Sequence, residues 1–243
     1  YQKNIIQKEM DLINENMNKI IEEIGEEPIN IIDLGCGDGK KAVLFIEKLK
    51  DESRVRYCPI DISSYMVEKA IARVSKMDVK EVVKFQWNIS DFENIENIAF
   101  LLRQGDYKKN FSLLLGNTLG NFEINELLYE IRSSMKEGDL LLIGNGLDNK
   151  KLDDVLKAYK NPQLDNLLSK TLIQIGFDLK NIEYDARFRN SRVEMFYSIL
   201  NDCEIEFLNK KVLFNAGDQI IVAVSYKYSS DDFKSFLKMY FTR

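Results

Sequence analysis

The 243-residue chain contains no histidine. Serine-histidine triads, imidazole general bases and most zinc sites are excluded by that absence alone. Cysteine is scarce too: Cys36, Cys58 and Cys203 are odd in number and lack paired spacing. Neither a disulfide framework nor a thiolate metal cluster is expected, no metal is expected, and the thiols fit a reducing cytoplasm. No apolar run approaches the roughly 18 residues of a membrane span, and no signal-peptide pattern opens the sequence. The first residue is Tyr1 rather than methionine, so some preceding sequence is expected to be missing. Basic clusters are lacking as well. Lys and Glu are interleaved and the net charge is −5, so nucleic acid is not an expected partner. Nor is a membrane. Any chemistry falls to carboxylates, amides, hydroxyls and a bound cofactor.

What is present is an alternation of helices and strands. Apolar residues from Lys3 to Ile24 recur at helical spacing, and Pro28 closes that helix. Ile29–Leu34 is a short, nearly all-apolar run of the kind buried on both faces of a parallel sheet. The pattern then predicts a helix at Lys40–Leu49, a strand at Arg54–Ile60, a helix at Ser64–Ser75, a strand at Val82–Gln86 and a helix around Ile95–Leu102. A strand at Phe111–Leu115, a helix at Glu123–Met135 and a strand at Asp139–Ile143 follow. This order predicts an α/β fold, Rossmann-like, with a doubly wound, mostly parallel sheet. Later come helices at Lys151–Tyr159 and Asp165–Ile175, long strands at Arg192–Phe207 and Lys211–Tyr228, and a last helix from near Asp231. The two long strands are expected to pair antiparallel at the sheet edge. Without Pro/Gly/Ser linkers or repeats, the chain reads as a single domain: an N-terminal helix (1–28), a cofactor-binding core (29–145), a small helical cap (146–190) and closing strands and helix that complete the sheet (191–243).

The central motif is Asp33-Leu34-Gly35-Cys36-Gly37-Asp38-Gly39, between the first strand and its helix. Gly35, Gly37 and Gly39 allow a tight turn and close approach of the backbone to a ligand. The following helix start adds free N–H groups and a positive dipole end. The spacing is GxGxG rather than the GxGxxG of nicotinamide enzymes. Asp33 suits a ligand carrying an ammonium and a sulfonium and is poorly placed against phosphates. Asp61 ends the second strand, where a carboxylate accepts both ribose hydroxyls, and Asp91 follows the third, where an adenine amine is read. Each has a plainer alternative, with the glycines only a turn and Asp61 only a helix cap. Acids at the ends of three successive strands favour S-adenosylmethionine, with S-adenosylhomocysteine as product.

Five further stretches, Tyr57–Ser63, Gly116–Phe122, Asp139–Gly144, Arg192–Met195 and Gly217–Ile220 running into Ser225–Tyr228, resemble the histidine-specific Nα-methyltransferases of ergothioneine biosynthesis. The resemblance implies a class I methyltransferase whose cofactor contacts also include Lys40, Ile62, Asn88, Gly116, Asn117 and Thr118. It further implies that Asn121 holds the acceptor amine, Tyr159 the acceptor carboxylate, and that Met195 and Ser225 line the acceptor pocket. Asn121 could equally cap the helix that follows it, and Tyr159, Met195 and Ser225 could equally serve packing. Two features depart from the family. Ala223 stands two residues before Ser225, where the family's imidazole-gripping glutamate falls, and the family's N-terminal acceptor segment is largely absent. The reading that results is N-methylation of a small primary amine, an amino acid or short peptide, rather than free histidine. O-methylation of a small metabolite, and a non-catalytic cofactor-binding subunit of another methyltransferase, are the competing readings.

Overall fold

The computed structural model describes residues 2–77, 79, 81–147 and 152–241. Within them the chain divides into two compact units, Tyr1–Gly146 with Lys234–Arg243, and Leu147–Phe233.

The first unit is built on five parallel strands, β1 (Ile29–Leu34), β2 (Val55–Ile60), β3 (Glu81–Val82), β4 (Lys109–Leu114) and β5 (Leu140–Ile143), in the order β3-β2-β1-β4-β5. Every residue of β1 is buried, as its unbroken apolar pattern predicts. Helices α1 (Gln2–Ile24), α2 (Lys40–Leu49) and α3 (Ser64–Val74) set Met17, Phe45, Ile46 and Val67 in one cluster with Ile29, Ile31 and Phe111 of the sheet. Two more helices, α4 (Ile95–Leu102) and α5 (Ile124–Ser134), pack together. Gly25, in the left-handed region at φ 76°, ends α1 by donating to the Ile21 carbonyl. Pro28 only precedes the strand.

Two sets of polar groups inside this unit are matched to each other. Asn30 of β1 lies beside Asn110 of β4 and donates to its side-chain oxygen (2.8 Å) and to the Leu102 carbonyl at the end of α4 (2.9 Å). Asp139, at the start of β5, accepts from the backbone N–H groups of Asn110 and Lys136 and pairs with Arg103. An Asp at this place brackets two neighbouring strands and a turn.

The third strand is shorter than the expected Val82–Gln86. The Phe85 N–H is taken by the Asn88 side chain at 2.6 Å, and the chain turns into a 3-10 turn at Gln86–Asn88 instead of continuing the ladder.

The second unit holds α6 (Leu152–Tyr159), α7 (Pro162–Gln174) and five antiparallel strands: β6 (Ile182–Arg189), β7 (Arg192–Ile199), β8 (Cys203–Phe207), β9 (Lys210–Phe214) and β10 (Gln219–Tyr226). Lys151, the expected first residue of α6, lies outside the described residues. The doubly wound parallel sheet is as expected, but the later strands do not add to its edge. They form a sheet of their own, β10-β7-β6, and a β8-β9 hairpin. The expected boundary at 190/191 cuts the β6–β7 hairpin, whose turn residues Asn190 and Ser191 both take positive φ. Each expected long strand is broken, the first after Ile199, the second around Gly217. Between β7 and β10, the Ile199 carbonyl accepts from Gly217 N–H while Ile199 N–H donates to Asp218. From Ser230 the chain forms α8 (Ser230–Tyr240), and the Tyr240 hydroxyl donates to Asn125 at 3.2 Å.

Removing Arg103 strips a buried carboxylate of its counter-ion. Arg103→Ala is expected to lower the free energy of unfolding by about 3 kcal/mol, measured by urea denaturation. A loss under about 0.5 kcal/mol, the scale of a surface substitution, would show that the two backbone N–H groups suffice to hold Asp139.

Candidate cofactor and acceptor residues

The order β3-β2-β1-β4-β5 reverses direction at β1, so the chain leaving β1 and the chain leaving β4 depart at neighbouring carboxyl ends. Such a switch point opens a crevice in open α/β sheets. Four loops meet at this end of the first unit: Gly35–Gly39 after β1, Asp61–Ser63 after β2, Gly116–Asn121 after β4 and Gly144–Gly146 after β5.

Contacts between these loops are specific. A Cβ on Gly35 would stand 2.9 Å from both the hydroxyl and the methyl of Thr118, so the glycine is what lets the β4 loop close over the β1 loop. The Thr118 hydroxyl donates to the Leu115 carbonyl at 2.8 Å. The Asp61 carboxylate accepts from Gly37 N–H and from Ser63 N–H, both at 3.0 Å. It therefore ties the glycine loop to the end of β2 and also caps the approach to α3, and carboxylate lone pairs remain for further donors. Asn117 takes the left-handed conformation (φ 66°) and its side-chain oxygen accepts from Gly146 N–H.

Ile62 beside Asp61 is 78% exposed, and Ile89, bridged to Asp61 across the sheet, is 52% exposed. Two large apolar side chains left open on either side of a carboxylate suit a purine over the isoleucines with its ribose on the acid. Ile89 escaped the sequence reading. Its signal is an apolar residue between Asn88 and Ser90, in the segment that follows the third strand.

Asp33 is buried and accepts from the Tyr57 hydroxyl at 2.8 Å. Burial pushes its carboxyl up to about 6, against the lowering influence of Tyr57 and Lys41. Between pH 3.8 and about 6 the folded chain keeps a proton that the unfolded chain has released, so stability falls as pH rises through that window. The cost of holding Asp33 ionised at neutral pH is about 3 kcal/mol. A cationic ligand would offset it. Burial likewise pushes the Cys36 and Cys58 thiols well above their usual range, leaving both unreactive.

Other expected cofactor residues sit differently. Lys40 is exposed and pairs with Asp38 at 3.1 Å, on the outer side of α2. It is Lys41 that turns to the loops: its ammonium pairs with Glu9 of α1 at 2.5 Å and lies 2.5 Å from where a Gly116 Cβ would be. Glu9 in turn accepts from Gly116 N–H at 2.8 Å. No spacing rule connects Glu9 to a loop more than a hundred residues later, so it was invisible in the sequence. The Asn88 side chain is buried and fully used, donating to the Pro59 carbonyl (2.7 Å) and accepting from Phe85 N–H. These bonds turn the side chain inward, to the end of β2 and to Phe85, and so away from the cofactor contact expected of it. Asp91 is exposed and caps the 3-10 turn Phe92–Asn94, accepting from Glu93 N–H at 3.2 Å.

Asn121 ends the 3-10 turn Thr118–Asn121 and is exposed. It does not cap α5. That task belongs to Glu123, which accepts from Asn125 N–H (3.0 Å) and Glu126 N–H (3.1 Å). In the second unit, the Tyr159 hydroxyl donates to Ser225 Oγ at 3.0 Å, so two expected acceptor residues meet. Met195 is buried with Val155, Ala186 and Val193, with Ala223 packed against them; its role there is core packing.

A groove of 730 Å³ runs between α1 and β5 and reaches the loops only through Glu9, Asn117 and Gly144–Gly146. No cluster of three or more metal-ligating side chains occurs among the described residues, and no helix among them is long and apolar enough to cross a membrane.

A family model described as histidine-specific methyltransferase, SAM-dependent, matches residues 4–241. A search of curated protein sequences finds no match. Among solved structures, DesVI of Streptomyces venezuelae aligns at 13% identity over 97% of this chain and 85% of its own, with a TM-score of 0.42. A putative S-adenosylmethionine-dependent methyltransferase of Methanococcus maripaludis aligns at 19% identity over 94% and 89%, with a TM-score of 0.39.

The loops yield two expected outcomes. S-adenosylmethionine should bind more tightly as pH rises through about 6, as Asp33 ionises. Asp33→Asn should flatten that dependence; calorimetry at several pH values that found the parent flat would detach Asp33 from the ligand. Asp61→Ala should weaken binding of S-adenosylhomocysteine by about 2 kcal/mol. Unchanged affinity would leave Asp61 as a loop tie only.

Proposed function

The chain belongs to the histidine-specific, S-adenosylmethionine-dependent methyltransferase family, and on that premise we propose that it methylates the nitrogen of a small primary amine, an amino acid or the α-amine of a short peptide, with free histidine a poor acceptor. The observation that carries this reading is Asn121. Its carboxamide is exposed at the end of the turn following the cofactor loops, and capping is done by another residue. A carboxamide oxygen accepts one N–H of an incoming neutral amine and so fixes the direction of its lone pair.

The residues present suit the cofactor of the family. Asp61 would hold ribose hydroxyls, Ile62 and Ile89 the purine, and Asp33 and the Gly35–Gly39 backbone the amino-acid end. S-adenosylmethionine supplies an electrophilic methyl group on a sulfonium. What the chain adds is alignment and exclusion of water, which are worth many powers of ten when an encounter becomes intramolecular. The amine must reach Asn121 without its proton. With no histidine in the sequence, that proton goes to bulk water, a carboxylate or a tyrosine, before or during binding.

Ala223 supports the exclusion of histidine. It lies among apolar side chains, beside Met195 across the β7–β10 pairing. An imidazole brought near Ser225 would lack a charge-assisted hydrogen bond worth about 2 kcal/mol. The three free thiols, two of them buried, support a reducing cytoplasm as the place of action. Nucleic acid and membrane surfaces have no part in the reading.

Incubation with S-adenosylmethionine and a panel of amino acids, amines and short peptides should give N-methylated products, with trimethylhistidine minor or absent. Asn121→Ala should lower kcat by about tenfold while leaving cofactor affinity unchanged. Preferred formation of trimethylhistidine would overturn the substrate reading. Methyl transfer to oxygen would overturn the amine. Cofactor binding without any product would favour a non-catalytic subunit.

A further inference from the structure

Within the second unit, Lys227 is a half-buried ammonium group without a counter-ion among the described residues. Arg187 and Arg192 share Glu194, at 2.8 Å each, and Lys160 pairs with Asp185 at 2.7 Å. Lys227 is half-buried just beyond β10 and pairs with no carboxylate among the described residues. Its Nζ instead donates to Ser225 Oγ at 2.6 Å and to the Tyr226 carbonyl at 3.2 Å, and lies 5.2 Å from the centre of the Tyr159 ring. Tyr159 is itself held in place, since its carbonyl accepts from the Tyr184 hydroxyl at 2.8 Å.

The protons of this cluster can be counted. An ammonium has three and each hydroxyl one. One joins Tyr159 to Ser225, one joins Lys227 to Ser225, and one goes to the Tyr226 carbonyl. One hydroxyl proton and one ammonium proton remain, whichever way the Tyr159–Ser225 hydrogen bond points. Two unspent donors, one of them charged, suit an anionic oxygen pair and repel a group that is itself cationic. Ala223, two residues away on β10, brings no carboxylate to neutralise them.

Resting on the reading of Tyr159 and Ser225 as acceptor-binding residues, we propose that Ser225 and Lys227 form a specificity subsite for a side-chain carboxylate, so that the preferred methyl acceptor is an acidic amine. This carboxylate is distinct from the α-carboxylate that every amino acid carries. The binding energy comes from a charge-assisted pair that also gives the half-buried Lys227 a counter-ion.

The test compares acids with their amides, which differ only at the distal group. Binding of L-aspartate and L-glutamate, and of L-asparagine and L-glutamine, is titrated into the protein saturated with S-adenosylhomocysteine, for the parent, Lys227→Gln and Lys227→Arg. Binding of S-adenosylhomocysteine itself checks that each variant is folded. The parent should bind at least one acid about tenfold more tightly than its amide. Lys227→Gln should bring that ratio close to one, and Lys227→Arg should largely keep it. Equal binding of acid and amide by the parent, no binding of either acid, or a preference that survives Lys227→Gln would overturn the subsite. The same amines are assayed for methyl transfer. Turnover of neutral amines without preference for acids removes the subsite and leaves the amine reading standing. Lys227-dependent binding of an acid with no transfer to any amine removes the amine reading and leaves the subsite.

Discussion

The place where β1 ends governs the rest of the first unit. Because β1 lies between β2 and β4, all parallel, the chain leaving it meets the loops that leave both neighbours. A side chain at Gly35 would collide with Thr118, and one at Gly116 with Lys41. Gly35 is therefore a condition for the loops to meet, quite apart from any ligand, whereas the lysine facing Gly116 could swing aside. Asp61 then fixes the meeting from a third direction by accepting Gly37 N–H. What results is a cradle of backbone with one buried acid, Asp33, whose ionisation burial opposes.

Much of this was legible in the sequence because the parallel strands are near-continuous apolar runs and the loops carry glycines. Ile29–Leu34, Lys40–Leu49 and Ile95–Leu102 fall where their patterns place them. Asp33 and Asp61 stand at the ends of β1 and β2, where their places in the sequence put them. Failures have identifiable causes. Lys40 and Lys41 are neighbours, and only the phase of α2, about 100° per residue, decides which of them meets Gly116. Asn88 follows a strand that stops early, so its side chain turns inward to Pro59 and Phe85. The strand Ile182–Arg189 was missed although Ile182, Tyr184, Ala186 and Phe188 alternate with charged residues in plain period two. Without it, the later strands had no partner but the edge of the parallel sheet.

On the proposed reading, substrate selection falls to different residues from those that would hold the cofactor. Asp33, Asp61 and the glycine loop would serve any S-adenosylmethionine-dependent transfer. Ala223, Ser225 and Lys227 lie on or just past one strand of the second unit, and in the proposed subsite they set the charge that an acceptor would meet. With alanine and not a carboxylate at residue 223, that position supplies no anion to offset the charge of Lys227. A family can in this way change its acceptor while its cofactor loops stay as they are.

The central claim is that the loops at the carboxyl ends of β1, β2 and β4 form the binding cradle. Hydrogen exchange at individual backbone amides, with and without ligand, tests it most directly. Saturating S-adenosylhomocysteine should slow exchange at Gly35–Gly39, at Asp61 and Ile62 and at Gly116–Asn121 together, while NAD at the same concentration leaves all three unchanged. Protection of these segments by NAD, or protection by S-adenosylhomocysteine confined to other parts of the chain, would contradict the account.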